Sequence, residues 1–586
     1  MRKILEEIQR RNVFRVALVY IIAGWLTMQV VDVMFPALHL PEWMVSAVAA
    51  FILIGFPFAI IFAWAFEMTP DGIRREKDVD RDNSNTHPTG KKLNRTTMII
   101  LVIAVGFLLL DKFVLQLGDQ QTVTPESIAE VRPSIAVLPF VNMSDDMENE
   151  YFSDGLSEEL LNLLAKIPRL HVAGRTSSFK FKGTNEDLRV IGEQLNVSNV
   201  LEGSVRKSGT RLRITAQLVD TGSGYHLWSE SYDRDLTDIF AVQDEIASAV
   251  VSALRVTLLG NQAISVNRGT DNLEAYNEML KGSYFLDRTS VENLEKAFVA
   301  FQKATELDPN YARAWVGLAV TEQQRVSGFA TNSGALFKEG FDRVRAYADK
   351  AIEIDPTNGE AYLAQSIAAA TADWDIASAR EFGEKALELN PNDGVAAGWL
   401  GVSYLFSEMY PLAIESLEKS IAIDPLYIAS IRDLGDLYVF TGNHEKGLAM
   451  YQRALELTPD SSRIYGRIAR AYLLKNELDK ATEYAAKEPV VWVRELTAIL
   501  IIGRRDGPSD EWRTLVDDYA ARYGDGHSFQ LAEMCADTGE LDCAFDWLTL
   551  AVDIHDPGTP WAFVVPYFDE AKKDPRWTEF EAAIKR

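Results

Sequence analysis

Residues 386–425, ALELNPNDGVAAGWLGVSYLFSEMYPLAIESLEKSIAIDP, contain one full period of a repeat that decides the fold of the second half of the chain. The period is marked by prolines that close similar hexapeptides, such as ALELNP and SIAIDP. Such prolines recur at spacings of 47, 35, 34 and 34 residues: Pro309, Pro356, Pro391, Pro425 and Pro459. A repeated period of this length predicts a solenoid, in which each unit buries its apolar face against the next.

Within each period, small and aromatic residues recur at helical spacing, as Gly401, Tyr404 and Ala413 do in the quoted unit. Small residues let paired helices approach closely, and aromatic residues fill the space between pairs. The pattern resembles the tetratricopeptide repeat. The resemblance implies an all-α solenoid over residues 270–586, with about six or seven helix pairs in a right-handed superhelix. We attribute the longest proline spacing to a 13-residue insertion near 326–341. The last helix pair is predicted at about 528–555.

A solenoid of this kind presents its first helices on a concave face, where we expect a peptide groove. Transferring the usual groove positions onto this phase gives Val402, Leu405, Phe406, Arg432, Asp436, Phe440, Arg463 and Arg470. Arg463, Arg467 and Arg470 would form a basic strip able to hold a carboxylate of a bound peptide. The alternative interpretation of the strip is an ordinary solvated helix face.

The middle of the chain is predicted to be an α/β domain. SIAVLPF at 134–140 indicates a buried strand, and three segments with alternating polarity follow at 200–207, 211–220 and 226–233. Glycine and serine between these segments supply hairpin turns, so the segments predict an antiparallel meander. One helix is predicted to begin in the acidic region near 148, and two further helices are predicted at 186–195 and at about 238–258.

The stretches IAVLPF, YFSDGLSEELLNLLAKI, GRTSSFKFKG and LEGSVRKSGTRLRITAQLVD, in this order between 135 and 220, resemble the TolB-like (FlgO-type) amino-terminal domain. The resemblance assigns residues 133–260 to this domain and implies a non-catalytic recognition or assembly module, fused in this family to tetratricopeptide repeats. Similar chains often carry the label adenylate cyclase, but we expect no cyclase catalytic domain in this sequence.

The first part of the chain predicts a membrane anchor over residues 1–117, with spans at about 14–34, 43–66 and 96–115. The second span has no ionisable side chain and is long enough to cross the hydrocarbon core. Basic residues cluster before the first span and in the 67–95 loop, which places both in the cytoplasm. Three spans then place everything after about residue 118, including the 118–132 linker, in the periplasm of a bacterium, with the anchor in the inner membrane.

Charge separates the two parts of the chain. Residues 1–115 carry a net charge of +2 and the remaining residues a net charge of -28, which together give the net charge of -26 for the whole chain. A near-neutral segment suits contact with membrane lipid, and the acidic remainder would repel a phosphate backbone. We therefore expect membrane lipid as a partner of the amino-terminal helices and no nucleic acid. Homo-oligomerisation is compatible with the sequence.

Two cysteines occur, Cys535 and Cys543, on the two helices predicted for the last repeat. An exported domain permits a disulfide between them, and the alternative is a pair of buried thiols.

No catalytic, cofactor or metal site is predicted. The chain lacks the G-x-x-x-x-G-K-[ST], H-E-x-x-H, C-x-x-C and G-x-S-x-G motifs, and its seven histidines have no ligand spacing. The sequence therefore predicts a multidomain protein with transmembrane helices, an α/β domain and an all-α solenoid, acting as a non-enzymatic scaffold that binds other proteins. The alternative is a transmembrane signalling receptor or regulator that acts on a cytoplasmic partner.

Overall fold

The computed structural model describes residues 133–254 and 269–584, apart from 145, 147–148, 168–169, 289, 330–333, 460 and 525, and short pieces between 20 and 75. The chain divides into two compact units, Met1–Glu126 and Ser127–Arg586. The predicted third span at 96–115 and the 118–132 linker lie outside the described residues, as do most positions of the first two spans.

The first unit is described only in pieces. The Tyr20 hydroxyl donates a hydrogen bond to the carbonyl of Ile52 at 3.0 Å, which joins helical positions of the first and second predicted spans. Strand β1 (Phe66–Thr69) pairs antiparallel with β2 (Gly72–Arg75), at the start of the segment predicted as a cytoplasmic loop. Among the residues that can be described, no helix is both long and apolar enough for a membrane span.

The second unit begins with a mixed sheet in the order β5-β3-β6-β7-β8, with β4 pairing β6. Its strands are β3 (Ser134–Val137), β4 (Val141–Asn142), β5 (His171–Val172), β6 (Asn199–Ser208), β7 (Arg211–Asp220) and β8 (His226–Asp235). Strand β3 runs parallel to β5 and β6, and β6, β7 and β8 form the predicted antiparallel meander. Burial along β7 largely alternates, because one face of the meander packs on helices and the other faces water.

Four helices accompany the sheet: α1 (Glu150–Ala165), α2 (Arg175–Phe179), α3 (Leu188–Leu195) and α4 (Ile239–Ala253). The α3 helix begins at Asp187, whose carboxylate accepts a hydrogen bond from the Arg189 N–H at 2.9 Å. Such a side chain satisfies a backbone donor that the helix itself leaves free. The predicted α/β domain is therefore present, with a mixed sheet.

Between 273 and 553 the described residues form eight antiparallel helix pairs. Their bounds are α5 (Leu273–Leu286) and α6 (Val291–Leu307), α7 (Ala312–Phe329) and α8 (Gly334–Ile354), α9 (Gly359–Ala368) and α10 (Ile376–Leu389), α11 (Gly394–Phe406) and α12 (Tyr410–Ile423), α13 (Ile428–Phe440) and α14 (His444–Leu457), α15 (Ile464–Leu474) and α16 (Leu478–Lys487), α17 (Val491–Asp506) and α18 (Asp510–Tyr523), α19 (Ser528–Asp537) and α20 (Leu541–Asp553).

The array differs from the prediction of six or seven pairs because α17 and α18 form a pair without a proline-terminated hexapeptide. The long spacing between the first two prolines corresponds to the long α7 and α8, so the inserted residues extend a helix pair. After α20, three short 3₁₀ segments (Thr559–Phe563, Pro566–Phe568 and Ala571–Lys573) and α21 (Trp577–Ala582) complete the described chain.

The sheet domain and the first repeats share one hydrophobic core. Leu160 on α1 and Ile246 on α4 belong to the same buried cluster as Met279, Leu280 and Phe301 of the first helix pair. The Gln243 side chain donates a hydrogen bond to the Tyr276 hydroxyl at 2.6 Å across this boundary. Because the cluster is continuous, the sheet domain is fixed on the array rather than tethered to it.

Candidate functional site

The loop before α2 docks on the end of α12 through backbone contact. The Gly174 N–H donates to the carbonyl of Ile423 at 2.8 Å. A Cβ atom at Gly174 would stand 2.5 Å from the Asp424 side chain, so only glycine permits this approach. At the end of α1, the Asn392 amide donates to the carbonyl of Ala165 at 2.9 Å.

Ser177 is the polar centre of this contact. Its N–H donates to Asp424 Oδ1 at 2.8 Å, its hydroxyl also bonds to that oxygen, and the Leu426 N–H donates to the Ser177 hydroxyl at 2.8 Å. Burial raises the pKa of Asp424, whereas these hydrogen bonds lower it. The sequence interpretation included Ser177 only within the GRTSSFKFKG stretch and gave it no role.

A cavity of about 530 Å³ lies between α1, the loop before α2 and the first repeats. Arg175 spans it, pairing with Glu158 at 3.3 Å and with Asp287. Desolvation raises the pKa of Asp287 to about 6, against the opposing charge of Arg175. Desolvation likewise raises the pKa of Glu360, which also lines this cavity. These side chains are far apart in the sequence, and no sequence motif predicted that they would lie around one cavity.

The predicted peptide groove corresponds to two neighbouring cavities. Val402, Phe406 and Arg432 line one of about 160 Å³. Asp436, Phe440, Arg463 and Arg470 line another of about 310 Å³, called here the arginine cavity. Leu405 lines neither and is fully buried in the core of the array.

Trp561 lines both cavities. Its ring meets Phe406 edge-on at 5.0 Å between centroids and Phe440 edge-on at 6.3 Å. Edge-to-face contacts of this kind are favourable beyond the area they bury. Trp561 follows the last helix pair, so the repeat period gave no reason to place it on the concave face.

The predicted basic strip is mostly neutralised inside the protein. Arg467 pairs with Asp436 at 3.0 Å, and Arg470 pairs with Glu533 at 2.5 Å. Burial raises the pKa of Glu533, although its pairing with Arg470 opposes that effect. Arg432, in the smaller cavity, pairs with Asp433 at 2.7 Å.

Arg463 differs from these arginines. Its guanidinium lies over the Trp492 ring at 5.1 Å from the centroid and forms no side-chain ion pair among the described residues. Desolvation, together with the nearby charges of Arg467 and Arg432, lowers the pKa of Arg463, and the nearby Glu488 carboxylate opposes this effect. Its backbone is left-handed, with φ at 69°, a conformation uncommon for a residue with a side chain.

Glu488 holds Arg463 in this conformation. Its carboxylate is buried and accepts hydrogen bonds from the N–H groups of Arg463 at 3.1 Å, Gly466 at 2.9 Å and Val490 at 3.0 Å. A carboxylate at this position also suits the positive end of the α15 helix dipole. The sequence interpretation did not name Glu488 or Trp492.

Cys535 and Cys543 are joined by a disulfide in the structure, with Cα atoms 5.7 Å apart. The bond links α19 to α20. Cys535 lies on the same helix as Glu533, which lines the arginine cavity. Within the described part of the chain, no group of three or more His, Cys, Asp or Glu side chains is placed to hold a metal ion.

These features define a multidomain protein with a central sheet domain and a carboxy-terminal, all-helical tetratricopeptide-type solenoid. A family model described as a tetratricopeptide repeat matches residues 432–489. A model described as the second domain of HilA/YgeH-like transcriptional regulators matches residues 131–249. The sheet domain is thus similar to that domain of HilA/YgeH-like regulators, and the match does not show the resemblance to the TolB-like domain.

Among curated proteins, the chain is similar to "Putative adenylate cyclase 3" of Rhizobium meliloti (strain 1021), with 37% identity over 238 residues, or 40% of each chain. It is also similar to superkiller protein 3 of Schizosaccharomyces pombe, with 29% identity over 30% of this chain and 12% of that one. The chain therefore spans less than half the length of these relatives. A solved tetratricopeptide protein of Thermus thermophilus is 19% identical, covering 34% of this chain and 99% of that one, with a TM-score of 0.28.

Proposed function

We propose that this protein is a non-enzymatic scaffold of the bacterial envelope, anchored in the inner membrane and binding other proteins through its sheet domain and repeat array. In this proposal the amino-terminus is cytoplasmic, and the residues after about 118 are periplasmic. The sheet domain would act as a TolB-like recognition module held in a fixed position on the array.

The observation that carries the proposal is the concave face of the array. Seven of the eight predicted groove residues line two adjoining cavities there, and Leu405 alone does not. Solenoids use such a face to bind extended partners, because it offers a long continuous surface on a rigid frame. The shared core with the sheet domain makes this frame stiffer than an isolated array.

Charge and cysteine chemistry support the proposed location. The amino-terminal part is near neutral with basic flanks, and the acidic remainder would stay detached from anionic lipid. The bond between Cys535 and Cys543 is of a kind that persists in oxidising compartments such as the periplasm. A reporter fused after residue 586 that is active only in the periplasm tests this directly, and activity of a reporter that works only in the cytoplasm would contradict it.

Partner binding is tested by photo-crosslinking in cells. A benzophenone amino acid replaces Phe440, which lines the arginine cavity, and as a control replaces Val299, an exposed residue of α6. We expect a discrete crosslinked protein from position 440 that is absent at position 299. No crosslinked protein from position 440, or from a second probe at Arg432, would refute binding through the concave face.

A signalling regulator is the second candidate, favoured by the match of residues 131–249 to a domain of transcriptional regulators. In that case the 67–95 segment would meet a cytoplasmic partner. Deletion of residues 71–92 separates the candidates, because a scaffold keeps its crosslinked partner and its phenotype while a regulator loses its output.

A further inference from the structure

Strand β8 forms a long, uncovered edge of the sheet. It spans His226–Asp235 and is the last strand in the order β5-β3-β6-β7-β8, and no strand among the described residues pairs with its other side. It contains no proline, and its side chains are exposed except for the buried Tyr232 and the half-buried Trp228. Such an edge presents a row of unpaired backbone groups to any strand that can approach it.

The pairing of β8 with β7 identifies which backbone groups face outward. The Leu236 N–H donates to the carbonyl of Thr210 at 2.7 Å, one position beyond the end of β8. In an antiparallel pair, residues that exchange hydrogen bonds with the neighbouring strand alternate with residues that do not. The N–H and carbonyl groups that point away from β7 are therefore those of Ser229, Ser231, Asp233 and Asp235.

The open face of β8 is already satisfied by β7. Arg213 pairs with Asp233 at 2.9 Å, and the hydroxyls of Thr215 and Ser231 form a hydrogen bond at 3.0 Å. These side chains leave no charge on this face for which a second protein must supply the partner.

Charge is less completely satisfied on the other face of β8, which carries the buried Tyr232. Because side chains alternate along a strand, Glu230 and Arg234 lie on this same face. The Glu230 carboxylate accepts a hydrogen bond from the Tyr232 hydroxyl at 3.2 Å but forms no ion pair among the described residues. Arg234 pairs with Glu245 of α4 at 3.4 Å, and both Glu230 and Arg234 are exposed.

The order of charges along β8 is complementary to itself in one antiparallel register. Two copies related by a twofold axis at Tyr232 place Glu230 of each copy opposite Arg234 of the other. An axis at Glu230 or at Asp233 would instead place two identical carboxylates opposite each other, and an axis at Ser231 pairs no opposite charges. Opposite charges that face each other across strands stabilise a sheet, and like charges destabilise it.

We propose that two copies of this protein associate through β8, in an antiparallel pair centred on Tyr232 that joins their sheets into one continuous sheet. A closed twofold pair of this kind uses the same surface on both copies and leaves neither β8 edge open. In this register Ser229 lies opposite Asp235 of the second copy, and each outward-facing pair exchanges two backbone hydrogen bonds. The inference goes beyond the proposed function and does not depend on which compartment holds the sheet domain.

Disulfide trapping between two full-length chains tests the pairing. One chain carries Ser229→Cys and the other Asp235→Cys, each with its own affinity tag, and the co-expressed chains are treated with a mild oxidant after extraction. Opposite residues of a hydrogen-bonded pair have Cα atoms about 5.5 Å apart, which suits a disulfide. The two native cysteines are already bonded to each other and do not compete. Trapping is the readout because a single strand pair makes a small interface.

We expect a disulfide-linked dimer that carries both tags, and none from either variant alone. The control pairs Ser229→Cys with Ser208→Cys, an exposed position on β6, two strands in from the edge, and should give no dimer. A dimer from Ser229→Cys alone, a dimer with Ser208→Cys, or no dimer with Asp235→Cys would overturn the proposal. Trapping of Ser229→Cys only on a protein of different mass would also overturn it, since the edge would then bind another chain.

Charge reversal in the same trapping assay tests the register independently of folding. Glu230→Lys in both chains places a cation opposite Arg234 twice and should lower the yield of dimer at least fivefold. Glu230→Lys in one chain with Arg234→Glu in the other restores both opposite-charge pairs, so the dimer should return, whereas a folding defect would not be rescued. An unchanged yield with the first combination, or no recovery with the second, would contradict the assigned register. Crosslinking at position 440 is scored separately, so partner binding and self-association give independent results.

Discussion

Asp424, which follows α12 in the repeat array, accepts a hydrogen bond from the Ser177 N–H of the sheet domain at 2.8 Å, although 247 residues separate them. The Ser177 hydroxyl in turn receives the Leu426 N–H at 2.8 Å. One buried serine thus satisfies groups on both sides of the contact between the two domains. These hydrogen bonds fix how the two domains are aligned at their junction, which apolar packing alone would not specify.

Ser177→Ala should destabilise the junction by about 1–3 kcal/mol, because it leaves the Leu426 N–H and part of the Asp424 carboxylate buried without partners. Ser178→Ala is the matched control. Its hydroxyl is equally buried and already lacks a hydrogen-bond partner among the described atoms, so its removal should be neutral or stabilising. Urea unfolding of the full chain measures both variants, and equal midpoints for them would contradict the assigned role of Ser177.

Asp287 should make stability fall as pH rises from about 4 to 6. Its pKa is raised from 3.8 to about 6 in the folded protein, so the folded state holds the proton more tightly than the unfolded chain. The contribution is complete below the unfolded pKa and is lost as pH rises through the folded one. The charges of Arg175, Arg288 and Glu158 act on the same carboxyl.

Asp287→Asn should flatten this part of the pH profile by on the order of 1–3 kcal/mol. Urea midpoints at pH 4.5 and pH 7 give the comparison, with Asp569→Asn on the exposed surface as control. If wild type and Asp287→Asn change in parallel between the two pH values, the raised pKa is not a feature of the folded protein.

Arg463→Gly should leave stability unchanged or raise it by up to about 1 kcal/mol, since glycine adopts a left-handed backbone without steric cost. Urea unfolding of the full chain measures the effect. A loss of stability above about 1 kcal/mol would mean that packing of the Arg463 side chain outweighs the strain of its left-handed backbone.

The Cys535–Cys543 bond should stabilise the last helix pair by about 2–3 kcal/mol, the value expected for closing a loop of this length in the unfolded chain. Cys543→Ser should therefore lower the unfolding midpoint, and reductant should bring wild type to the same value without affecting the variant. In cells, thiol alkylation that needs prior reduction would also support export of the domain. Free thiols in the native protein would count against both claims.

Much of the fold was predictable because it rests on local periodicity. The proline period placed the boundaries of the repeats, and the alternation in RLRITAQLVD gave strand β7 its observed bounds, Arg211–Asp220. The pair α17 and α18 was missed because it lacks the hexapeptide and its proline. Gly507, left-handed after α17, was its available boundary signal.

The binding surface was predictable only in outline. Helical phase identified which side chains face inward, but not which of them are neutralised. Arg470 is paired by Glu533, 63 residues away, and Arg467 by Asp436, 31 residues away. Such pairings depend on which helices of the superhelix face each other. The repeat period of a single sequence does not predict them. Trp561 was unpredictable for the same reason.

His555, just after the last helix pair, stacks on Trp374 of the third pair with ring centroids 3.8 Å apart and planes 5° from parallel. Its ring also contacts the carbonyl of Ala372, 183 residues earlier in the chain. An open solenoid behaves as a one-dimensional polymer that frays from its ends, because each unit touches only its neighbours. This contact closes a ring across six successive units, so the terminal pair cannot melt without also releasing the third. The array should therefore unfold in a single cooperative step over these six units rather than one unit at a time.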